Sequence, residues 1–302
     1  MFGLKVKSSI PMLNALTFDV EDYFQVESFT NIVSREDWSQ YPIRVVENTQ
    51  RILNLLREYK THATFFVLGW VADRYPELVQ EIAADGHEIA THGYWHQLIY
   101  RQTPEEFATD LENSLEAIQK ALGSYSVVGY RAPVFSITNQ SLWALDILQK
   151  HGIKYDSSIF PVAVHDRYGI SNADRFANEI GEGLWEFPPS TVQLGKRNLP
   201  VAGGGYFRLF PIPLTRWAIR QINDEGQPAV IYLHPWEFDP EQPRIKGASL
   251  LSRFRHYLNL DQTENRLRML LEEFQFASMN QVFSPQLSGN EKMVYNLGES
   301  WN

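Results

Sequence analysis

Two histidines four residues apart, in the run His92-Gly93-Tyr94-Trp95-His96, are the side chains of this sequence best placed to do chemistry. At that spacing both imidazoles can be aimed at one point, as on a single turn of helix. A carboxylate supplied from elsewhere would complete a His₂-carboxylate set with an open coordination position, a common arrangement for catalytic zinc. The upstream run Asp19-Val20-Glu21-Asp22 could supply it. A histidine pair alone is weakly specific, so its meaning depends on what else converges on it.

The elements that must position these groups can be read from periodicity. Apolar, β-branched runs at residues 13–18, 63–68, 88–91, 127–130, 153–155, 184–187, 229–233 and 276–282 are expected strands. Helical stretches alternate with them. Ile52, Leu53, Leu55, Leu56 and Tyr59 follow helical spacing, and Pro76 opens a helix that Gly86 closes. Thr103-Pro104-Glu105-Glu106 reads as a capping box with Pro at the first helical position. Further helices are expected over 141–151, 215–225 and 263–274, with long irregular segments near 161–183 and 235–260. Strand–helix alternation without a linker or internal repeat points to one parallel α/β barrel. A single domain over 1–283 with a flexible tail at 284–302 is expected.

On that plan the ionisable residues fall at strand ends. Asp19, Glu21 and Asp22 follow the first strand, His92 and His96 the third, Arg131 the fourth, Asp156 the fifth, and His234 the run 229–233. The C-terminal ends of parallel barrel strands form the active-site face, so five strands deliver ionisable groups to one rim. Each residue has an ordinary alternative. A carboxylate run is usually a solvated turn, a single histidine after a strand is usually structural, and Arg131 could pair with a surface acid. Trp95 and Trp236 could be core. Gly203-Gly204-Gly205 lacks the Gly-Lys-Ser/Thr of a phosphate loop and reads as a flexible loop. Joint occurrence favours a site.

Composition narrows the classes. The 302-residue chain carries a formal charge of −9 and no Lys/Arg cluster, which argues against general nucleic-acid binding. It has no cysteine, which excludes disulfides, thiolate nucleophiles and Cys-ligated zinc. Residues 1–11 carry Lys5 and Lys7 but no apolar signal-peptide core, and no run approaches the roughly 20 apolar residues of a membrane span. The expectation is a cytoplasmic protein, with the inner membrane face as a place of work.

Five motifs in order carry a resemblance: Phe-Asp-Val-Glu-Asp-Tyr-Phe at 18–24, His-Gly-Tyr-Trp-His at 92–96, Gly-Tyr-Arg-Ala-Pro at 129–133, Tyr-Asp-Ser-Ser-Ile-Phe-Pro at 155–161 and Tyr-Leu-His-Pro-Trp-Glu-Phe at 232–238. Over most of its length the chain resembles the polysaccharide deacetylases of carbohydrate esterase family 4, with the NodB homology domain. Within them it looks like the branch encoded with exosortase-linked exopolysaccharide genes. The resemblance implies a distorted (β/α) barrel of seven strands. It also implies a metal-dependent N-deacetylase that releases acetate from N-acetylhexosamine units of a bacterial polysaccharide or its lipid-linked precursor.

Residue by residue, the resemblance makes Asp19 the general base, His92 and His96 metal ligands, Arg131 the residue that holds the base, and Asp156 the one that orients the catalytic acid His234. The family's second motif aspartate is Val20 here and cannot bind metal. The third ligand is then Glu21, two positions beyond Asp19 on the same strand face, or Asp22. The ion implied is divalent, Zn²⁺ first, with Co²⁺ or another ion as substitutes. In the mechanism that follows, the Val134 N–H would stabilise the oxyanion and Leu233 would line the acetyl-methyl pocket. Tyr94, Trp95 and Trp236 would stack on sugar. A same-fold hydrolase of a small amide or imide, allantoinase-like, and a catalytically silent carbohydrate-binding protein are the competing readings.

Overall fold

The segment Leu-Asn-Ala-Leu-Thr-Phe-Asp-Val is apolar on both faces, and as strand β1 (Leu13–Val20) it is buried along almost its whole length. Such a strand belongs in the middle of a parallel sheet covered on both sides. In the computed structural model, which describes residues 11–163 and 168–289, β1 pairs in parallel with strand β2 (Thr64–Val67). Beyond it come β3 (Glu88–Thr91), β4 (Gly129–Tyr130) and β5 (Tyr155–Asp156), all parallel. Strand β6 (Asn178–Gly181) forms an antiparallel edge on β7 (Leu184–Glu186), which is itself parallel to β5. A separate two-stranded hairpin pairs β8 (Thr191–Leu194) with β9 (Arg197–Pro200). Strand β10 (Val230–Leu233) lies on the other flank of β1, and β11 (Gln275–Ala277) pairs with the start of β1. The sheet order is β10-β1-β2-β3-β4-β5-β7-β6. Seven strands of this order run parallel and β11 adds an eighth off the path, giving a curled, incompletely closed (β/α) barrel of the distorted kind anticipated.

Helices cover the outer face. Helix α1 (Val45–Glu58) buries Ile52, Leu53, Leu55 and Leu56, the residues whose spacing announced it. Short α2 (Gly69–Arg74) leads into α3 (Pro76–Ala84), which has Pro at its start. Helix α4 (Pro104–Leu122) carries the full capping box: Thr103 accepts from the Glu106 N–H, and the Glu106 carboxylate accepts from the Thr103 N–H. Helix α5 (Trp143–Lys150) follows, then α6 (Gly204–Leu209) and α7 (Ile212–Asp224). Helices α8 (Leu250–Tyr257) and α9 (Thr263–Glu273) complete the layer. Two short turns, α10 (Met279–Val282) and α11 (Ser284–Leu287), end the described chain.

Several expectations are corrected. The run 276–282 is strand only as far as Ala277, because Ser278 and Gln281 form a capping box that starts α10. The expected tail at 284–302 begins with the helical turn α11, whose Leu287 packs on the core; 290–302, like 1–10, lies outside the described residues. The irregular segments contain β6 and α8. Gly203-Gly204-Gly205 is no flexible loop. Residue 203 bridges to Tyr232 on the free edge of β10, and a Cβ there would sit 1.7 Å from the Tyr232 carbonyl oxygen. Only glycine permits that approach, and it extends the barrel wall past β10.

One buried titratable group sits away from the rim. His87 accepts the Ala63 N–H through Nδ1 (3.2 Å) and packs on Phe65 and His62. Burial, with the neighbouring His62, pushes its pKa down from 6.5 to about 4. The unfolded chain therefore binds this proton more readily than the folded one. The resulting stability is fully present above about pH 6.5 and is lost as pH falls towards 4, on the order of 2–3 kcal/mol. We expect the urea midpoint of the wild type to fall more steeply with acidification than that of His87→Asn. Parallel curves would refute this.

Candidate active site

The positions that follow β1, β3, β4 and β10 converge on a cavity of about 390 Å³. Asp19, Glu21, His92, His96, Val134, His234 and Trp236 all line it. Asp19 is buried on β1. The Arg131 guanidinium, fully buried, donates from Nη1 to Asp19 Oδ1 at 2.7 Å and to Thr17 Oγ at 2.7 Å. Its remaining donors reach the Ser157 hydroxyl (3.0 Å) and carbonyl (3.2 Å), and it lies 4.1 Å over the Phe66 ring. Held at so many points, Arg131 fixes one Asp19 oxygen and leaves Oδ2 towards the cavity, 3.8 Å from His234 Nε2.

The histidine pair is not on a helix. It sits on a turn after β3, in which Gly93 takes φ +74° and His96 φ +50°. Asp110 on α4 pins this turn by accepting the Tyr94 N–H (2.8 Å) and the Trp95 N–H (3.0 Å). A Cβ on Gly93 would meet that same carboxylate at 2.7 Å, which together with the positive φ reserves the position for glycine. His92 places Nδ1 2.7 Å from the Arg131 carbonyl. That contact makes Nδ1 the protonated nitrogen and leaves the Nε2 lone pair for a ligand. Burial, reinforced by His96, holds His92 well below its usual pKa, hence neutral.

Glu21 completes the set. Its Oε1 accepts from the Trp236 indole N–H at 3.0 Å, and its Oε2 lies 2.6 Å from His96 Nε2. Burial alone would raise the Glu21 pKa, but the charge and hydrogen bond of His96, then His234 and His92, bring it to about 2. Donor atoms of Glu21, His92 and His96 all lie within 4.8 Å of one another, the one such group among the described residues. Two imidazoles and one carboxylate, deeply buried, are the donor chemistry of a catalytic divalent-metal site.

Asp22 points elsewhere. Its carboxylate accepts the backbone N–H groups of Tyr23 (2.9 Å), Arg44 (2.8 Å) and Val45 (2.9 Å) and so caps the start of α1. The expectation of Asp22 as an alternative ligand is corrected on that ground. Asp22→Ala should lower stability by about 1–3 kcal/mol, the cost of leaving buried donors unpaired, and leave metal stoichiometry unchanged by elemental analysis. A variant of normal stability that had lost its metal would reverse the assignment.

The orientation of His234 also differs from expectation. Its Nδ1 lies 3.0 Å from Glu237 Oε2, which also accepts the His234 backbone N–H at 2.9 Å. The other Glu237 oxygen accepts from Arg208 Nε at 2.6 Å. Arg208 is itself buried and donates to the carbonyls of Arg255, His256 and Leu258. Burial would lower the His234 pKa, but the charge and hydrogen bond of Glu237, then Glu21 and Asp19, raise it to about 9. Asp156 instead accepts from the Ser158 hydroxyl and is hydrogen-bonded to Glu186. Burial raises the pKa of both carboxyls, consistent with a shared proton. Sequence reading missed Glu237, although it stands within a quoted motif. The i,i+3 spacing from His234 across Pro235, where the chain turns in a 3₁₀ segment, is the signal that could have found it.

Three further assignments change. Leu233 is fully buried in the main core and does not line the cavity. Tyr94 and Trp95 line a separate shallow depression with Asp73 and Lys120. Trp236 does line the cavity, but it is buried, holds Glu21 and stacks on His256 (4.2 Å, 12°), which leaves little of its face for a sugar. The open aromatic wall is built by Phe135, Tyr168, Tyr206 and Tyr232. Val134 keeps its place at the cavity, at φ +56°, a conformation costly for a β-branched residue and common at functional sites.

Residues 14–155 match the polysaccharide deacetylase family model. Over that stretch, just under half of its length, the chain is similar to the polysaccharide deacetylase family. Residues 157–284 match a domain of unknown function, DUF3473. The chain is similar to the peptidoglycan-N-acetylmuramic acid deacetylase PdaC of Bacillus subtilis, at 30% identity over 45% of this chain and 28% of that protein. It is 32% identical to a peptidoglycan-N-acetylglucosamine deacetylase of Bacillus cereus over 33% of this chain and 37% of the relative. A chitooligosaccharide deacetylase of Azorhizobium caulinodans is 27% identical over 62% and 80% of the two chains. The chain thus spans about a third of the length of the first two relatives. A Mycobacterium smegmatis structure assigned to the polysaccharide deacetylases has the same fold, with TM-score 0.63, 20% identity, and coverage of 99% of this chain and 98% of that one.

The polysaccharide deacetylase match holds Asp19, Glu21, His92, His96 and Arg131, whereas the DUF3473 match holds Arg208, His234, Trp236 and Glu237. Parallel pairing of β10 with β1 brings the two sets together.

Proposed function

We propose that this chain is a metal-dependent N-deacetylase of N-acetylhexosamine units in an oligo- or polysaccharide, or in its lipid-linked precursor. The observation that carries the reading is the buried Glu21-His92-His96 donor set flanked on one cavity by Asp19 and His234. The names of the relatives, which act on peptidoglycan and chitooligosaccharides, support the substrate class.

Glu21, His92 and His96 would hold the ion. When bound, a divalent ion such as Zn²⁺ polarises an amide carbonyl and lowers the pKa of a water to about 7. Asp19, anchored through Oδ1 by Arg131, takes the proton of the attacking water on Oδ2. The Val134 N–H faces the developing oxyanion. His234, kept protonated by Glu237, gives its proton to the leaving amine as the C–N bond breaks. Base and acid are thus two groups whose environments set them apart. Phe135, Tyr168 and Tyr206 offer ring faces and hydroxyls to the sugar.

Acetate release from N-acetylglucosamine oligomers, before and after EDTA treatment and Zn²⁺ or Co²⁺ re-addition, tests the reading. Release that EDTA abolishes and the metal restores is expected. Bound metal without release from any sugar oligomer would favour a small-amide hydrolase, and sugar binding without release a silent binding protein.

A further inference from the structure

Seven large apolar side chains are exposed among the described residues, and five of them, Ile32, Leu209, Leu250, Leu251 and Phe254, gather on the side where the cavity opens. Leu209 and Phe254 are part of the cavity wall itself. Helix α8 contributes three, with Leu250 83%, Leu251 57% and Phe254 56% exposed. At about 100° per residue these three share one side of the helix, Arg253 and Arg255 flank them, and His256 is buried on the opposite side. An amphipathic helix normally turns its apolar stripe inward; this one turns it out.

The charge around it is also inverted. Between Glu241 and Asp261 there is no acidic residue, while Arg244, Lys246, Arg253 and Arg255 are all exposed, in a chain of net charge −9. An exposed apolar stripe bordered by cations is the composition of an interfacial helix. No helix among the described residues is long and apolar enough to cross a membrane. We propose that α8 and the adjoining cavity rim seat on an anionic lipid bilayer, Leu250, Leu251 and Phe254 entering the interface and the four cations meeting headgroup phosphates.

A second copy of the chain is the weaker occupant. A two-fold contact through this patch would set its uncompensated cations against themselves. The seat is also tied to the catalytic centre, because Arg208 binds the carbonyls of Arg255, His256 and Leu258 with one end and Glu237 with the other. The cavity mouth would then face the headgroup plane, where a lipid-linked saccharide presents its sugar. That last consequence rests on the proposed deacetylase reading; the membrane seat does not.

The test is co-sedimentation of the full chain with vesicles of phosphatidylcholine alone and of phosphatidylcholine containing about one third phosphatidylglycerol. Binding is expected to the anionic vesicles only and should weaken as salt is raised. Leu250→Ser/Leu251→Ser, and separately Arg253→Glu/Arg255→Glu, should lower the partition coefficient about tenfold or more with unchanged thermal unfolding. No binding by the wild type, or equal binding by both variants, overturns the proposal. So does a wild-type dimer in analytical ultracentrifugation that the leucine variant dissolves without any vesicle binding. Since vesicle binding is read without turnover, it fails or succeeds independently of the deacetylase assay.

Discussion

Asp19→Asn is expected to lower kcat/KM for acetate release by about 10²- to 10⁴-fold while metal content by elemental analysis stays at the wild-type level. Asparagine keeps an oxygen to accept the 2.7 Å hydrogen bond from Arg131, so the geometry survives. It cannot take up the proton of the attacking water, so the base is lost. His92→Ala and His96→Ala should behave differently, losing metal and activity together, because each removes a donor from the 4.8 Å cluster. Metal loss in Asp19→Asn would move that residue into the ligand set. Retained activity would remove it from the mechanism.

The second large effect separates two carboxylates, Asp156, which the family resemblance assigned to His234, and Glu237, which sequence reading missed. Glu237→Gln should reduce kcat by about 10²- to 10³-fold and move the alkaline limb of the pH–rate profile to lower pH. The sign follows from His234: burial disfavours its imidazolium, and the Glu237 anion is the leading influence opposing burial. Without it the proton is lost at lower pH. The variant should also unfold more readily, since it leaves the buried Arg208 guanidinium without its acid. Glu237→Asp, which keeps the charge, should recover part of the activity and restore the limb, which a purely structural role would not do. Asp156→Asn, whose partners are Ser158 and Glu186, should leave that limb in place. A shifted limb in Asp156→Asn and an unchanged one in Glu237→Gln would restore the original assignment.

Much of the site's inventory was legible in the primary structure because its residues follow strand ends. Asp19, Glu21, His92, Arg131 and His234 lie at or just beyond buried apolar runs, and in a parallel sheet such positions share one rim by construction. The Thr103–Glu106 box and the Ile52–Leu56 spacing were equally readable, since both are local interactions that the neighbouring sequence completes. Residues 276–282 were misread because four of them also fit a capped helical turn, and a short apolar run does not distinguish the two. The triple glycine was misread for a different reason. Its role is a close approach to Tyr232, a residue about thirty positions away, and no local pattern encodes that distance.

Sequence by itself determined which chemistries this chain could hold: no thiolate, two histidines at ligand spacing, carboxylates after the first strand, and a parallel α/β frame to gather them. Tertiary structure decided who partners whom. Asp22 and Glu21 are adjacent and chemically alike, yet one faces three backbone N–H groups, two of them at the start of α1, and the other two imidazoles, because successive residues leaving a strand point in different directions. His234 takes its acid from Glu237, three residues on, because the 3₁₀ turn at Pro235 folds that carboxylate back beneath the ring. The outward apolar face of α8 is likewise a tertiary fact. Periodicity fixes which residues share a side of a helix, but only packing against the barrel fixes which side meets the solvent.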